Sequence, residues 1–126
     1  MTRYLISFDD GAMDRIPDEE IPAVGKAAHA VIEEAVDAGV WVFGGGLERQ
    51  RASVVATDGM VTDGPYPETK EVIGGFSVVD VPSREEALEW AAKIAVACRC
   101  AQEVRSSCPT PNKTRCSARL TGDGDD

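Results

Sequence analysis

Val72-Ile73-Gly74-Gly75-Phe76-Ser77-Val78-Val79-Asp80-Val81, with Pro82-Ser83-Arg84-Glu85-Glu86 behind it, is the stretch that decides the fold. Its β-branched and aromatic residues predict the longest strand of the chain. Pro82 stops it, because proline cannot donate to a sheet ladder. Side chains alternate along a strand, so Phe76 and Val78 share one face while Val79 and Val81 share the other. Both faces are therefore apolar in the middle of the sheet, and both need cover.

Downstream, Ser83 followed three residues later by Glu86 is a capping box. Ala87, Leu88, Ala91, Ile94 and Ala95 continue from it as one apolar helical face. Cys100 to Val104 is read as a last strand. From Ser106 the chain turns polar, with Pro109 and Pro111, and residues 106–126 are expected to form a peripheral, flexible tail on a domain of residues 1–105.

Upstream, Tyr4 to Phe8 predicts a first strand, ended by the turn residues Asp9-Asp10-Gly11. Asp18, Glu19 and Glu20 put negative charge where a helix dipole favours it, and Pro22 fits a first helical turn. Val24, Ala28, Val31, Ile32 and Ala35 then recur at helical spacing, and Gly39 caps the end. Val40 to Phe43 predicts a second strand, ended by Gly44-Gly45-Gly46 as a bulge or strand end. That triplet is no phosphate loop, since Leu47-Glu48-Arg49-Gln50 supplies neither a Lys-Ser/Thr pair nor a third spaced glycine. Ala52 to Thr57, the turn Asp58-Gly59 and Met60 to Thr62 read as a hairpin.

Strand, helix, two or three strands, helix, strand is the order of an α+β, ferredoxin-like split βαβ sandwich, with both helices on one face of an antiparallel sheet. Two helices cover one side. A second copy of the same sheet is the simplest cover for the other, so a homodimer is expected.

At 126 residues the chain suits one domain, and its 43% hydrophobic content suffices for a packed core. Against 13 Lys and Arg stand 22 Asp and Glu, a formal net charge of -9. That field disfavours nucleic acid and anionic membranes as partners. No apolar run approaches the roughly 20 residues of a membrane helix. The N-terminus opens directly into a strand without signal-peptide architecture, so a cytoplasmic protein is expected. Cys98, Cys100, Cys108 and Cys116 should then be thiols. Their spacing is not a familiar zinc pattern, and His29 is far away in sequence, so neither metal nor cofactor is expected. Cys98 and Cys100 read as small core residues.

Two sets of residues carry possible chemistry. His29, at the edge of the first helix's apolar stripe, reads either as a proton shuttle near neutral pH or as a boundary residue packing beside Ile32. Between the hairpin and the long strand, Asp63, Glu68 and Glu71 supply carboxylates, Lys70 a cation and Tyr66 a phenol. Together they can orient a small polar substrate, with Lys70 on a carboxylate, an acid as base and Tyr66 as donor. The alternative is structural, with Asp63 closing a turn, Glu68 pairing Lys70 and Tyr66 plugging the sheet edge. Pro65, Pro67 and Gly64 hold this loop to one shape, which tilts the reading toward function. Trp41 and Trp90 read as core or dimer-contact residues.

Asp63-Gly64-Pro65-Tyr66-Pro67-Glu68-Thr69-Lys70-Glu71, followed by Gly74-Gly75-Phe76, resembles the signature of the DGPF branch of YCII-related proteins, with Tyr66 in place of the usual Phe. Tyr4-Leu5-Ile6, Val79-Asp80-Val81, Glu85-Glu86-Ala87 and Glu89-Trp90-Ala91 are also similar to that family, and the resemblance covers residues 3–105. It implies a ferredoxin-like domain pairing into a dimeric α+β barrel. It also implies a His-Asp pair in a cleft in some members, with His29 near the position of that His. One member is similar to a dehydrochlorinase of aromatic-ring degradation, and muconolactone-type isomerases share the fold. The expectation is a small-molecule acid/base enzyme of isomerase or lyase type working in a dimer cleft on a polar or aromatic-ring metabolite. His29 and Asp63 are its catalytic candidates, and Tyr66, Glu68, Lys70 and Glu71 its substrate-binding candidates. The alternative is a non-catalytic ligand-sensing or regulatory adaptor, whose partner would be a basic protein.

Overall fold

The computed structural model describes residues 1–48, 52–64 and 72–107. Strand β1 (Thr2–Asp9) leads through a short 3-10 turn (Asp18–Glu20) into helix α1 (Ile21–Asp37) and strand β2 (Trp41–Gly46). A hairpin of β3 (Ser53–Val55) and β4 (Val61–Asp63) follows, then β5 (Ile73–Val81), helix α2 (Arg84–Cys98) and β6 (Glu103–Ser106). The main sheet is antiparallel in the order β2-β5-β1-β6, which is the ferredoxin-like arrangement. The long strand is central, as its two apolar faces require.

Local chemistry sets the helix ends. Gly39, at φ +77, ends α1 in a Schellman motif. Its N–H donates to Val36 O, and Val40 N–H donates to Ala35 O. Ser83 caps α2 by accepting the Glu86 N–H at 3.3 Å, a contact of the kind that contributes about 1 kcal/mol. Asp58-Gly59 makes the hairpin turn, with Gly59 at φ +89 and Met60 N–H donating to Asp58 Oδ1.

Opposed residues of neighbouring strands share a face. Tyr4 stands opposite Val79 and Thr2 opposite Val81. Tyr4, Ile6, Val79 and Val81 pack with Ala35 of α1 and with Ala87 and Ala91 of α2, so both helices cover this one face. The opposite face carries Leu5, Phe43, Phe76 and Val78, placed together by the pairs Leu5–Val78 and Phe43–Val78. No described element covers it. Phe43 and Phe76 meet edge to face at 5.4 Å, yet Phe43 remains 56% exposed.

Two boundaries differ from the sequence reading. The glycine triplet does not end β2: Gly44, Gly45 and Gly46 pair with Ser77, Phe76 and Gly75. The bulge lies earlier, between Trp41 and Phe43. The last strand is Glu103–Ser106, not Cys100 to Val104. Helix α2 runs to Cys98, Arg99 takes the left-handed conformation at φ 59, and Cys100 N–H still donates to Ala95 O, so the chain is free to pair with β1 only afterwards.

Candidate functional site

Val24, Ala28, Val31 and Ile32 form the expected stripe on α1, but of the four only Val24 is fully buried. The floor beneath them explains why. The register turns Gly46 toward the helices with open space where its Cβ would stand, and a strand would otherwise raise a side chain there to fill the layer. A cavity of about 270 Å³ remains between α1 and the sheet. Helix α1 roofs it from Ile21 to Ile32, Phe8 and Trp41 form walls, and Ile94 and Cys98 close the α2 side.

Two glycines hold the rings in place. A Cβ on Gly44 would fall 2.8 Å from Ser77 Cα and 3.0 Å from the Trp41 ring. A Cβ on Gly75 would fall 2.6 Å from the ring of Phe8.

Ser77 and Gln102 are the polar side chains among the described residues that line this cavity. Gln102 Nε2 donates to Cys100 O at 3.3 Å and contacts its Sγ at 3.5 Å. Phe8 and Gln102 also border a second recess of about 290 Å³, which holds Arg15 and Cys100. Arg15 Nη2 there donates to Arg99 O at 2.6 Å. Burial pushes the Cys98 thiol up from its ordinary value, with the neighbouring Cys100 adding to the effect. Burial also raises Cys100, although Arg15 and Gln102 pull the other way. Both side chains are neutral thiols at neutral pH, which agrees with the reading of them as small core residues. No group of three His, Cys, Asp or Glu side chains suited to a metal occurs among the described residues.

His29 does not line the cavity. It sits on the outer side of α1, 71% exposed, with Nε2 3.2 Å from the Glu33 carboxylate one turn on. Asp63 is exposed at the end of β4, opposite Ser53. No hydrogen bond or ion pair joins His29 to Asp63. Tyr66, Glu68, Lys70 and Glu71 lie outside the described residues, as do Cys108 and Cys116. Beyond residues 65–71 the described chain resumes at Val72, whose carbonyl accepts the Asp10 N–H. Asp10 follows the C-terminal end of β1, the end that carries Phe8 and so one wall of the cavity.

Sequence reasoning missed the cavity residues Phe8, Ser77, Cys98 and Gln102. The available signal was the coincidence of Gly44-Gly45-Gly46 with Gly74-Gly75 on two strands that pair.

No curated protein matches the sequence. Among solved structures, the chain is similar to the 5-chloro-2-hydroxyhydroquinone dehydrochlorinase of Burkholderia phenoliruptrix AC1100 in complex with 2,5-dihydroxybenzoquinone. Identity is 16% and the TM-score 0.45, over 82% of this chain and 90% of that one. The YCII-related domain matches residues 4–106, from within β1 to the last residue of β6, and the chain belongs to that family.

Proposed function

We propose that the protein is a small-molecule enzyme of acid/base type, an isomerase or lyase, belonging to the DGPF branch of the family. The cavity between α1 and the sheet holds the apolar body of its substrate. The carrying observation is that cavity: about 270 Å³ lined mainly by apolar side chains, with Ser77 and Gln102 as polar groups on its wall. His29 and Asp63 are the enzyme's catalytic candidates for acid/base work, and Tyr66, Glu68, Lys70 and Glu71 its substrate-binding candidates. The working unit is a homodimer joined through the open sheet face, and the thiol state of Cys98 and Cys100 suits the cytoplasm.

A second reading is a ligand-sensing module. One observation favours it: none of the described cavity-lining residues is Asp, Glu, Lys, Arg or His.

A thermal-shift screen against small neutral and anionic metabolites tests the site. A ligand at about 100 times its dissociation constant adds roughly 2.7 kcal/mol, which moves the melting temperature by several degrees. Ala28→Phe, which fills the cavity, should abolish the shift. Turnover lost in Asp63→Asn or Lys70→Ala with the fold intact supports the enzyme. Binding without turnover supports the sensor. A shift that survives Ala28→Phe removes the cavity from either reading.

A further inference from the structure

We infer that the cavity selects a neutral, hydroxyl-bearing molecule with an apolar body, and that Ser77 and Gln102 are the residues that recognise its oxygens. This rests on the cavity being the ligand site. Both side chains line it, and both are half-buried. Ser77 Oγ makes no hydrogen bond with any described residue. Gln102 commits its amide nitrogen to Cys100, which leaves its carbonyl oxygen as a free acceptor. No side-chain nitrogen or oxygen is buried without a partner among the described residues, so both oxygens are open to solvent at the cavity wall, where a ligand hydroxyl takes the place of water on them.

Two further features narrow the class. Neither recognition group carries charge, and the neighbouring Cys98 is a neutral thiol because burial holds its proton. A carboxylate brought against these walls would lose its hydration without gaining a counter-ion. Ser77 stands on β5, and Gln102 leads into β6, two strand positions away in the order β5-β1-β6. That separation is roughly 10 Å, too far for both to serve one oxygen. Each addresses a different end of the ligand. A void of about 150 Å³ accommodates benzene, so the volume here admits a ring with substituents.

Isothermal titration with three probes of similar shape tests this: p-xylene, 4-methylbenzyl alcohol and p-toluate. The native protein should bind the alcohol more tightly than the hydrocarbon and should not bind p-toluate. In Ser77→Ala/Gln102→Leu the preference for the alcohol should fall by about tenfold, with p-xylene affinity kept or improved. An unchanged alcohol-to-hydrocarbon ratio in the double variant overturns the recognition roles while leaving the cavity as the ligand site. Binding of p-toluate as tight as the alcohol overturns the neutral class. If none of the three probes binds, this inference and the reading of the cavity fall together.

Discussion

The ring of Phe8 lies against the backbone of Gly75, so close that a methyl on Gly75 would come within 2.6 Å of it. The two residues are paired across β1 and β5 on the helix-facing side. Glycine here lets an aromatic ring lie down on the sheet as a cavity wall. Gly75→Ala should push the ring off that position, either into the cavity or onto Gln102. The expected cost is about 1–3 kcal/mol, as for other over-packing substitutions, read from the urea midpoint at constant slope. Ligand affinity should fall as well. Unchanged stability and affinity would mean that Phe8 moves aside freely and that its place over Gly75 does not shape the cavity.

Cys98 and Cys100 both titrate above their ordinary value of 9.0, chiefly because burial disfavours the thiolate. The unfolded chain loses these protons first as pH rises. Their contribution to stability is therefore complete below about pH 9 and is lost progressively above it, until the folded thiols also ionise. The urea midpoint should fall with pH in that alkaline window. In Cys98→Ala/Cys100→Ala the fall should be shallower. Iodoacetamide at pH 8 should label these two positions slowly in the native protein and rapidly after denaturation. Rapid native labelling at both positions would contradict the burial.

Arg99 is the one non-glycine residue at positive φ among those described, and it ends α2. Its carbonyl accepts from Arg15, and its guanidinium pairs with Glu20 in front of α1. Left-handed geometry costs a residue with a Cβ about 1 kcal/mol. The exposed ion pair returns about 0–1 kcal/mol. Arg99→Gly should thus be neutral or stabilising by up to about 1 kcal/mol, whereas Arg99→Val should destabilise. A marked loss in Arg99→Gly would show that the pair with Glu20 outweighs the backbone strain.

Most of the scaffold was legible because its signals are local. The stripe from Val24 to Ala35, the Ser83–Glu86 cap, Gly39 and the turn at Asp58-Gly59 all appear where spacing and turn chemistry put them. The cavity was not legible, because it consists of side chains that are missing. Whether Gly44 and Gly46 face the helices depends on the bulge between Trp41 and Phe43 and on pairing with β5. A one-residue shift would have turned them to the other face, and no local pattern in β2 fixes that register. His29 looked like a boundary residue from periodicity alone. The surface position beside Glu33 follows from how α1 is rotated over the sheet, which depends on packing against α2.

The open face of the sheet provides the last prediction. Leu5, Phe43, Phe76 and Val78 make an apolar patch that no described element covers, and they sit on strands at the centre and one edge of the sheet. A second copy related by a two-fold axis would bury the same patch on each partner. Apolar area removed from water favours association by about 25 cal/mol per Å², against the lost freedom of two chains and the acidic charge of both. A carboxylate at the centre of that contact would be buried without a partner. Phe43→Asp should therefore convert a dimer to a monomer in sedimentation velocity while far-UV circular dichroism stays unchanged, since Phe43 is more than half exposed in the single chain. Native protein that sediments as a monomer at high micromolar concentration would rule out this dimer. A variant that remains dimeric would move the interface to another face.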